Sequence, residues 1–213
     1  EMQYKQDADT SIRYTYIPTS DRKAIAEENI WVKVTGENYE LKQKTSFTYD
    51  NSGMLTGKTQ ENGTDTVTTN IAYAYNDDAS YTQTNTTGDR TEIYTYDNMG
   101  RLQTYQDGNG NITAYAEYDK LGRQKKVVNP DATYKTWTYD DGQNLLVETD
   151  ENGNSIEYGY NGLGKIKSVR DITANQYLKQ FSYDAEGRLT CYTDGNGNTE
   201  NYGYETFGRI ARK

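Results

Sequence analysis

The stretch "YTYDNMGRLQTYQDGNGN", residues 94–111, contains the phrase that decides the fold of this chain. An aromatic residue stands two positions before a tyrosine, an acidic residue follows that tyrosine, and a glycine and a basic residue come shortly afterwards. The phrase recurs as "FTYDNSGML" from Phe47, "WTYDDGQNL" from Trp137, "FSYDAEGRL" from Phe181 and "YGYETFGRI" from Tyr202. Because a catalytic group is needed only once in a chain, a phrase repeated this often indicates architecture.

The spacing of the phrase predicts a regular repeat array. Its tyrosines recur every 21 to 23 residues, at Tyr96, Tyr118, Tyr139, Tyr160, Tyr183 and Tyr204. A fixed period in the twenties is typical of repeat proteins built from small supersecondary units. Within each period two runs of strand-forming residues alternate with turn sequences rich in Asn, Asp and Gly, which tolerate positive φ. The pattern predicts one β-hairpin per repeat and a continuous antiparallel meander.

Paired aromatic residues predict how neighbouring hairpins hold together. Residues two apart in a strand point to the same face of a sheet. The pairs are Phe47 with Tyr49, Tyr73 with Tyr75, Tyr94 with Tyr96, Trp137 with Tyr139, Tyr158 with Tyr160, Phe181 with Tyr183, and Tyr202 with Tyr204. We expect them to form two aromatic ladders. Ala116 replaces the first aromatic before Tyr118, and one extra residue in that repeat predicts a β-bulge.

Composition supports a sheet without an aliphatic core. Only 33% of the residues are hydrophobic, but the 22 Tyr, 3 Phe and 2 Trp are too many for a disordered tail. Wide antiparallel sheets twist and coil. The sequence therefore predicts an all-β fold in which antiparallel β-hairpin repeats form a curled, spiralling sheet.

Two regions differ in regularity. Residues 47–213 form the predicted array of units of about 21 residues, and residues 1–46 are predicted to be a degenerate repeat region. Within the latter, Asp21–Asn29 is predicted to be a short helix capped by Ser20 or Asp21. The segment "WVKVTGENYELK", residues 31–42, is predicted to be a hairpin.

Charge and residue usage exclude several function classes. A net charge of −9 opposes binding to nucleic acid and to anionic membranes, and no apolar run approaches the ~20 residues of a membrane span. The chain has no histidine, which removes histidine-based catalysis and zinc sites. The single Cys191 cannot form an internal disulfide and is interpreted as an apolar filler. We expect no signal peptide in this stretch, because no basic and apolar leader follows Glu1.

The acidic turn sequences are considered as calcium or catalytic sites and interpreted as turns. An EF-hand loop needs Gly at its sixth position and Glu at its twelfth, which are Ile112 and Tyr118 when counted from Asp107. The related turns at Asp150 and Asp194 are interpreted in the same way. The Gly-Arg arginines are expected to pair with turn aspartates or to lie over tyrosine rings. We predict no catalytic, cofactor-binding or metal-binding residue.

The recurring phrase resembles the tyrosine–aspartate (YD, or Rhs) repeat of bacterial Rhs and wall-associated toxins, Tc toxin cocoon subunits and animal teneurins. The resemblance covers about Phe47 to Lys213. Tyr-Asp begins at Tyr49, Tyr96, Tyr118, Tyr139 and Tyr183, and Gly-Arg begins at Gly100, Gly122, Gly187 and Gly208. Departures are Gly164-Lys165, Gly142-Gln143, Gly53-Met54 and the glycine-less repeat near Tyr75.

The resemblance implies a hairpin sheet that spirals into a hollow shell, which in bacterial members encloses a C-terminal toxin. It implies a non-catalytic shell segment of a larger secreted or cell-surface protein, whose partner is an enclosed or flanking polypeptide. The aspartate-rich self-cleavage motif of the family is not found in this sequence, so no role is carried over. The alternative function is a cell-surface or cell-wall carbohydrate-binding module whose exposed tyrosines stack on glycans. Unpaired terminal hairpins also predict edge-to-edge self-association.

Overall fold

A computed structural model describes residues 3–6, 10–18 and 23–213, and within these ranges the chain consists of strands and turns with no helix. The chain divides into two compact units, Glu1–Ile112 and Thr113–Lys213. Each unit is described by itself below.

The N-terminal unit is an antiparallel meander in which each strand pairs with the next one along the chain. Its strands within the described ranges are β1 (Gln3–Gln6), β2 (Thr10–Pro18), β3 (Lys23–Thr35), β4 (Asn38–Tyr49), β5 (Leu55–Asn62), β6 (Asp65–Tyr75), β7 (Tyr81–Thr87), β8 (Arg90–Tyr96) and β9 (Leu102–Gln106).

The C-terminal unit repeats this topology with shorter strands. They are β10 (Ile112–Tyr118), β11 (Gln124–Val128), β12 (Tyr134–Asp140), β13 (Leu145–Thr149), β14 (Ser155–Tyr160), β15 (Ile166–Asp171), β16 (Gln176–Tyr183), β17 (Leu189–Asp194), β18 (Thr199–Asn201), β19 (Gly203–Tyr204) and β20 (Ile210–Arg212). Strands β10 to β18 pair in sequence, and β19 pairs with β20. The predicted antiparallel hairpin meander is confirmed.

The helix predicted for Asp21–Asn29 is wrong where the structure describes it. Residues from Lys23 onward belong to β3, which pairs with β2 between Lys23 and Val32 and with β4 from Glu27 to Thr35. A single short helix is marginal in water, whereas pairing with β2, and with β4 from Glu27 onward, gives this segment backbone partners as a strand. Ser20 and Asp21 lie outside the described residues. The hairpin predicted for residues 31–42 is confirmed by the pairing of β3 with β4.

The boundary predicted between residues 46 and 47 stays a prediction. Ser46 lies inside β4, and pairing with β5 continues through this point. The bulge predicted before Tyr118 is absent from the pairing of β10 with β11, whose register is constant from Ala114 to Tyr118. The irregularity of this repeat is instead the positive φ of 57° at Glu117.

The two kinds of turn sequence, "DNMGR" and "DGNGN", form the same type of five-residue turn. In Asp97–Arg101 the Gly100 N–H donates to the Asp97 carbonyl at 2.9 Å, and Gly100 has a φ of 75°. In Asp107–Asn111 the second glycine, Gly110, does the same at 2.9 Å with a φ of 87°. This is the geometry of a type I turn followed by a left-handed residue. "DNMGR" and "DGNGN" are therefore the same turn at opposite ends of the hairpins.

The sheet is held together without a buried hydrophobic core in the part of the chain that the structure describes. The most buried side chains there are polar, Thr45 at 2% and Ser11 at 4% exposure. Most aromatic side chains are half-buried, but Tyr75, Tyr134 and Phe207 are more than half exposed. In β7, Tyr81 and Gln83 alternate with Thr82 and Thr84, so the opposite face carries threonine.

The two continuous aromatic ladders are not what the structure shows. Ring pairs lie within 5.5 Å at Tyr75–Tyr81, Tyr81–Tyr96, Tyr94–Tyr105 and Phe181–Tyr192. At other positions the intervening strand places an aliphatic or polar residue opposite the rings. Leu146, for example, pairs with both Tyr139 and Tyr158. The spacing of the aromatic pairs gave their shared face correctly but not the identity of their cross-strand neighbours.

Candidate functional site

One position recurs in every hairpin of the C-terminal unit: the residue immediately before its first strand. We call it the entry residue. Arg123 stands before β11, Lys165 before β15 and Arg188 before β17. The left-handed glycine of the preceding five-residue turn comes just before each of them.

Arg123 connects the end of one repeat with the end of the next. Its Nε donates to Asp119 Oδ2 at 2.7 Å, and its Nη1 and Nη2 donate to the two carboxylate oxygens of Asp141 at 2.6 and 2.9 Å. Its guanidinium also lies 4.1 Å from the ring centroid of Tyr139. The Asp141 carboxylate, followed by that of Asp119, raises the pKa of Arg123. This arrangement combines bidentate ion pairing with a cation–π contact.

The other two entry residues repeat the arrangement. The Arg188 Nε donates to Asp184 Oδ2 at 2.7 Å, and its guanidinium lies 4.9 Å from the Tyr204 ring centroid. The Lys165 ammonium lies 5.4 Å from the Tyr183 ring centroid and donates to the Gly187 carbonyl. The expectation that the Gly-Arg arginines pair with aspartates and cover tyrosine rings is confirmed for Arg123 and Arg188.

The tyrosine hydroxyls complete the closure of these three hairpins. They donate to the carbonyl of the first residue in the first strand: Tyr139 to Gln124 at 3.0 Å, Tyr183 to Ile166 at 2.8 Å and Tyr204 to Leu189 at 2.8 Å. Burial raises the pKa of Tyr139, which keeps its hydroxyl a donor. We call this arrangement the closure of the hairpin: the cation of the entry residue lies over the tyrosine ring, and the tyrosine hydroxyl donates to the backbone carbonyl of the first strand. These hydroxyl bonds have no signature in the amino-acid sequence, because their acceptors are backbone atoms.

The turn aspartates act as caps of the turns. Asp107 Oδ1 accepts the backbone N–H groups of Asn109 and Asn111, each at 2.9 Å, and Asp107 Oδ2 accepts the Asn111 side-chain amide. The Asn111 amide is the main cause that lowers the pKa of Asp107. Asp150 and Asp194 make the same bonds. The interpretation of these sequences as hairpin turns is confirmed.

Metal and catalytic chemistry find little support among the described residues. No group of three or more acidic or cysteine side chains there is placed to hold a metal ion. Cys191 is half-buried with a free thiol. The absence of catalytic, cofactor and metal sites stays a prediction. No helix in the described ranges has the length and apolar character to cross a membrane.

A glutamate shared by two tyrosines was missed by the sequence analysis. The hydroxyls of Tyr94 and Tyr105 donate to the two carboxylate oxygens of Glu92 at 3.4 and 3.3 Å, and Arg90 pairs with Glu92 at 2.7 Å. Burial, followed by the Glu92 charge, raises the pKa of Tyr94 to about 12. The signal available in the sequence was the position of Glu92, two residues before Tyr94 and therefore on the same face.

Two open hollows lie on the C-terminal unit. The larger, of 640 Å³, is mainly apolar, and its lining includes Tyr158, Val169, Leu178 and Phe181 together with Lys165 and Lys179. The smaller, of 460 Å³, is more polar and lies at the end of the β13–β14 hairpin beside Tyr160.

The repeated closed hairpins are consistent with the protein family whose profile the sequence matches. Residues 9–211 match the profile of the teneurin YD-shell family. The chain belongs to the teneurin YD-shell family. The YD-repeat resemblance predicted from the sequence is thereby confirmed. A search of curated proteins finds no sequence that matches this YD-shell chain.

Solved structures with a similar fold include crystal structures of TcdB2-TccC3, TcdB2-TccC3-TEV and TcdB2-TccC3-Cdc42. Their TM-scores are 0.55, 0.56 and 0.57, at 14%, 15% and 14% sequence identity. Each alignment covers 94% of the YD-shell chain but only 12% of the other chain. The fold class predicted from the sequence, a segment of a YD-repeat shell, is confirmed.

Proposed function

We propose that this chain is a structural, non-catalytic segment of a YD shell, forming part of the wall of a larger protein. The observation that carries the proposal is the use made of the repeated residues. The Tyr, Asp and basic side chains of the phrase contact one another and the backbone of their own repeats. Because these side chains are already used to close the hairpins, their repetition along the chain supports a structural role.

In the parent protein the wall encloses a C-terminal polypeptide, which in a bacterial parent is a toxin, and the parent is secreted or displayed at the cell surface. Membership of the YD-shell family and the fold shared with TcdB2-TccC3 support this proposal. Because the chain spans 12% of those chains, enclosure is a property of the whole protein and is tested there.

The test is protease protection in the full-length parent. We expect the segment downstream of this chain to resist a non-specific protease while the wall is intact. A double variant, Arg123→Gln with Tyr139→Ala, opens one closure and makes the downstream segment sensitive. Lys42→Gln, at an exposed ion pair, is the matched control and preserves protection. Rapid digestion of the downstream segment in the unaltered parent would contradict enclosure.

The carbohydrate-binding alternative finds less support in the tyrosine geometry. Stacking on a sugar needs an exposed ring face. The rings of Tyr81 and Tyr96 stack on each other at 4.6 Å with an interplanar angle of 15°, and Arg123 covers one face of Tyr139. We expect no reproducible binding on a glycan array. Binding that disappears when Tyr134, whose side chain is 51% exposed, becomes alanine would favour the alternative.

A further inference from the structure

The β13–β14 hairpin lacks the closure that its neighbours have. Its entry residue is Asn144, which has a φ of 53° and stands immediately before β13. The Tyr160 N–H donates to the Asn144 carbonyl at 2.9 Å, so Asn144 lies beside Tyr160, the tyrosine that ends this hairpin. In residues 113–213, all of which the structure describes, no cation covers the Tyr160 ring and no hydrogen bond engages its hydroxyl.

A hollow of 460 Å³ occupies this place. Tyr160, Asn144, Leu145 and Asp140 line it, together with the Arg123–Asp141 pair. This volume falls within the range of about 300–1,000 Å³ that is usual for ligand pockets. The short Asn144 side chain leaves empty the space that a long basic side chain fills in the other hairpins.

The charge around the hollow favours a cation. Asp140 and Asp141 both line it, and Arg123 is the cation among the lining residues. The Arg123 guanidinium is already shared between Asp141 and Asp119. Asp140 Oδ1 accepts the Gln143 N–H at 3.0 Å, and no hydrogen bond of the C-terminal unit uses its Oδ2. One carboxylate oxygen is therefore available beside an uncovered aromatic ring.

We propose that this hollow binds the guanidinium of an arginine side chain from another polypeptide. The guanidinium lies over the Tyr160 ring and donates to the Asp140 carboxylate, as Arg123 lies over Tyr139 and donates to Asp119 and Asp141. Arginine fits better than lysine because its planar group stacks on a ring and pairs with a carboxylate at the same time. Among the entry residues, Arg123 and Arg188 lie 4.1 and 4.9 Å from their ring centroids, whereas Lys165 lies 5.4 Å from its own. The proposal does not depend on enclosure by a shell.

The test uses the tripeptide acetyl-Gly-Arg-Gly-amide and its neutral isostere, in which citrulline replaces arginine. We expect the arginine peptide to shift the NMR amide signals of Asn144, Tyr160 and Asn161, and the citrulline peptide to leave them unchanged. Tyr160→Leu removes the ring without changing the charge and weakens binding about three- to five-fold. Equal shifts from the two peptides, or unchanged affinity in a folded Tyr160→Leu variant, would overturn the proposal.

Two further variants separate a specific site from general attraction to an acidic protein. Asp140→Asn keeps the acceptor for the Gln143 N–H but removes the charge, and we expect it to weaken binding. Asp77→Asn makes the same charge change at an exposed turn of the N-terminal unit and leaves binding unchanged. If both weaken binding equally, the attraction is non-specific and the proposal fails.

Asn144→Lys fills the hollow from within the chain. We expect this variant to raise the thermal midpoint and to abolish the shifts caused by the arginine peptide. Undiminished peptide binding by Asn144→Lys would place the peptide elsewhere. Because this variant adds a closure, its outcome remains informative if Tyr160→Leu does not fold.

Discussion

In the C-terminal unit a cation covers Tyr139, Tyr183 and Tyr204, each at the end of a hairpin, whereas around β7 in the N-terminal unit the tyrosines cover one another. The entry residue before β7 is Ser80, and Tyr81 stacks on Tyr96 at 4.6 Å. Before β5 the entry residue is Met54, whose sulfur accepts the Tyr75 hydroxyl at 2.9 Å. The comparison teaches that the tyrosine is the constant part of the closure. A cation, a second ring or a thioether sulfur serves as its partner.

The two units also differ in their turns and in the lengths of their strands. The N-terminal unit has two-residue turns that begin with Gly36, Gly63 and Gly88, and its strands reach 13 residues in β3. In the C-terminal unit, strands β10 to β17 have 5 to 8 residues. Five-residue turns capped by Asp or Asn occur in both units, for example at Asp97–Arg101 and Asp119–Arg123. The short strands of similar length account for the regular tyrosine spacing in the second half of the chain.

The largest expected effect is the loss of a tyrosine that closes a hairpin. Tyr139→Ala removes the ring under Arg123 and the hydroxyl bond to Gln124, and we expect it to lower the free energy of unfolding by about 2–4 kcal/mol. Tyr75→Ala in the N-terminal unit, where the side chain is 59% exposed, is expected to cost less than half as much. Urea denaturation measures both. Equal losses would mean that closure by a cation has no special role in the C-terminal unit.

The entry arginine is expected to have the next largest effect. Arg123→Gln removes two ion pairs and a cation–π contact, and should lower the melting temperature by about 2–4 °C. Arg90→Gln breaks a single pair with Glu92 at a 63% exposed side chain, so we expect little change. Calorimetry of both variants checks the difference. A larger drop for Arg90→Gln would contradict the comparison between the units.

Replacing an alanine that has a left-handed backbone conformation with glycine should stabilise the fold, in the N-terminal unit at Ala79 and in the C-terminal unit at Ala132. Ala79 and Ala132 have φ values of 66° and 67° at the turn position that glycine occupies elsewhere. Because this conformation costs roughly 1–2 kcal/mol for a residue with a Cβ atom, Ala79→Gly and Ala132→Gly should each raise the free energy of unfolding by about 1 kcal/mol. Ala74→Gly, within β6, is the control and should lower it. Destabilisation at both turn positions would refute this explanation of the glycine-less turns.

We also expect an alkaline transition at Tyr94 in the N-terminal unit. The folded-state pKa of Tyr94, about 12, lies above its ordinary value of 10.0. Its contribution to stability is therefore complete below pH 10 and is lost as the pH rises towards 12. Tyrosinate absorbance follows this titration. Glu92→Gln should lower the pKa while burial keeps it above 10, and Glu37→Gln, in an exposed turn, should leave it unchanged.

The sequence predicted the parts of the fold that depend on local pattern. The period of the tyrosines gave the hairpin repeats, and the shared face of residues such as Phe181 and Tyr183 followed from the alternation of a strand. The segment before Asn29 was mistaken for a helix because its local composition suits one. Pairing with β2 and β4 decides its conformation, and those partners are not local in the sequence.

Only part of the hairpin closure was predicted from the sequence, because its other contacts join residues that are distant along the chain. The Asp119–Arg123 pair lies within one turn, so its residue types revealed it. The contact of Arg123 with Tyr139 crosses a whole hairpin, and the hydroxyl of Tyr139 binds a backbone carbonyl, which carries no residue signature. The hollow beside Tyr160 was visible in the sequence only as a missing basic residue after Gly142. Its volume and its carboxylates depend on the folded geometry.

Strand β11 has a consequence for how such a chain changes its length. The same five-residue turn stands at both of its ends, Asp119–Arg123 and Asn129–Thr133. The turns that connect a repeat to the strands before and after it therefore have the same geometry. Excising or duplicating the segment between two equivalent tyrosines, such as Tyr118 and Tyr139, keeps every remaining side chain on its original side. Unequal recombination between repeats can thus add or remove whole hairpins, and the number of strands in the sheet becomes a countable, heritable quantity.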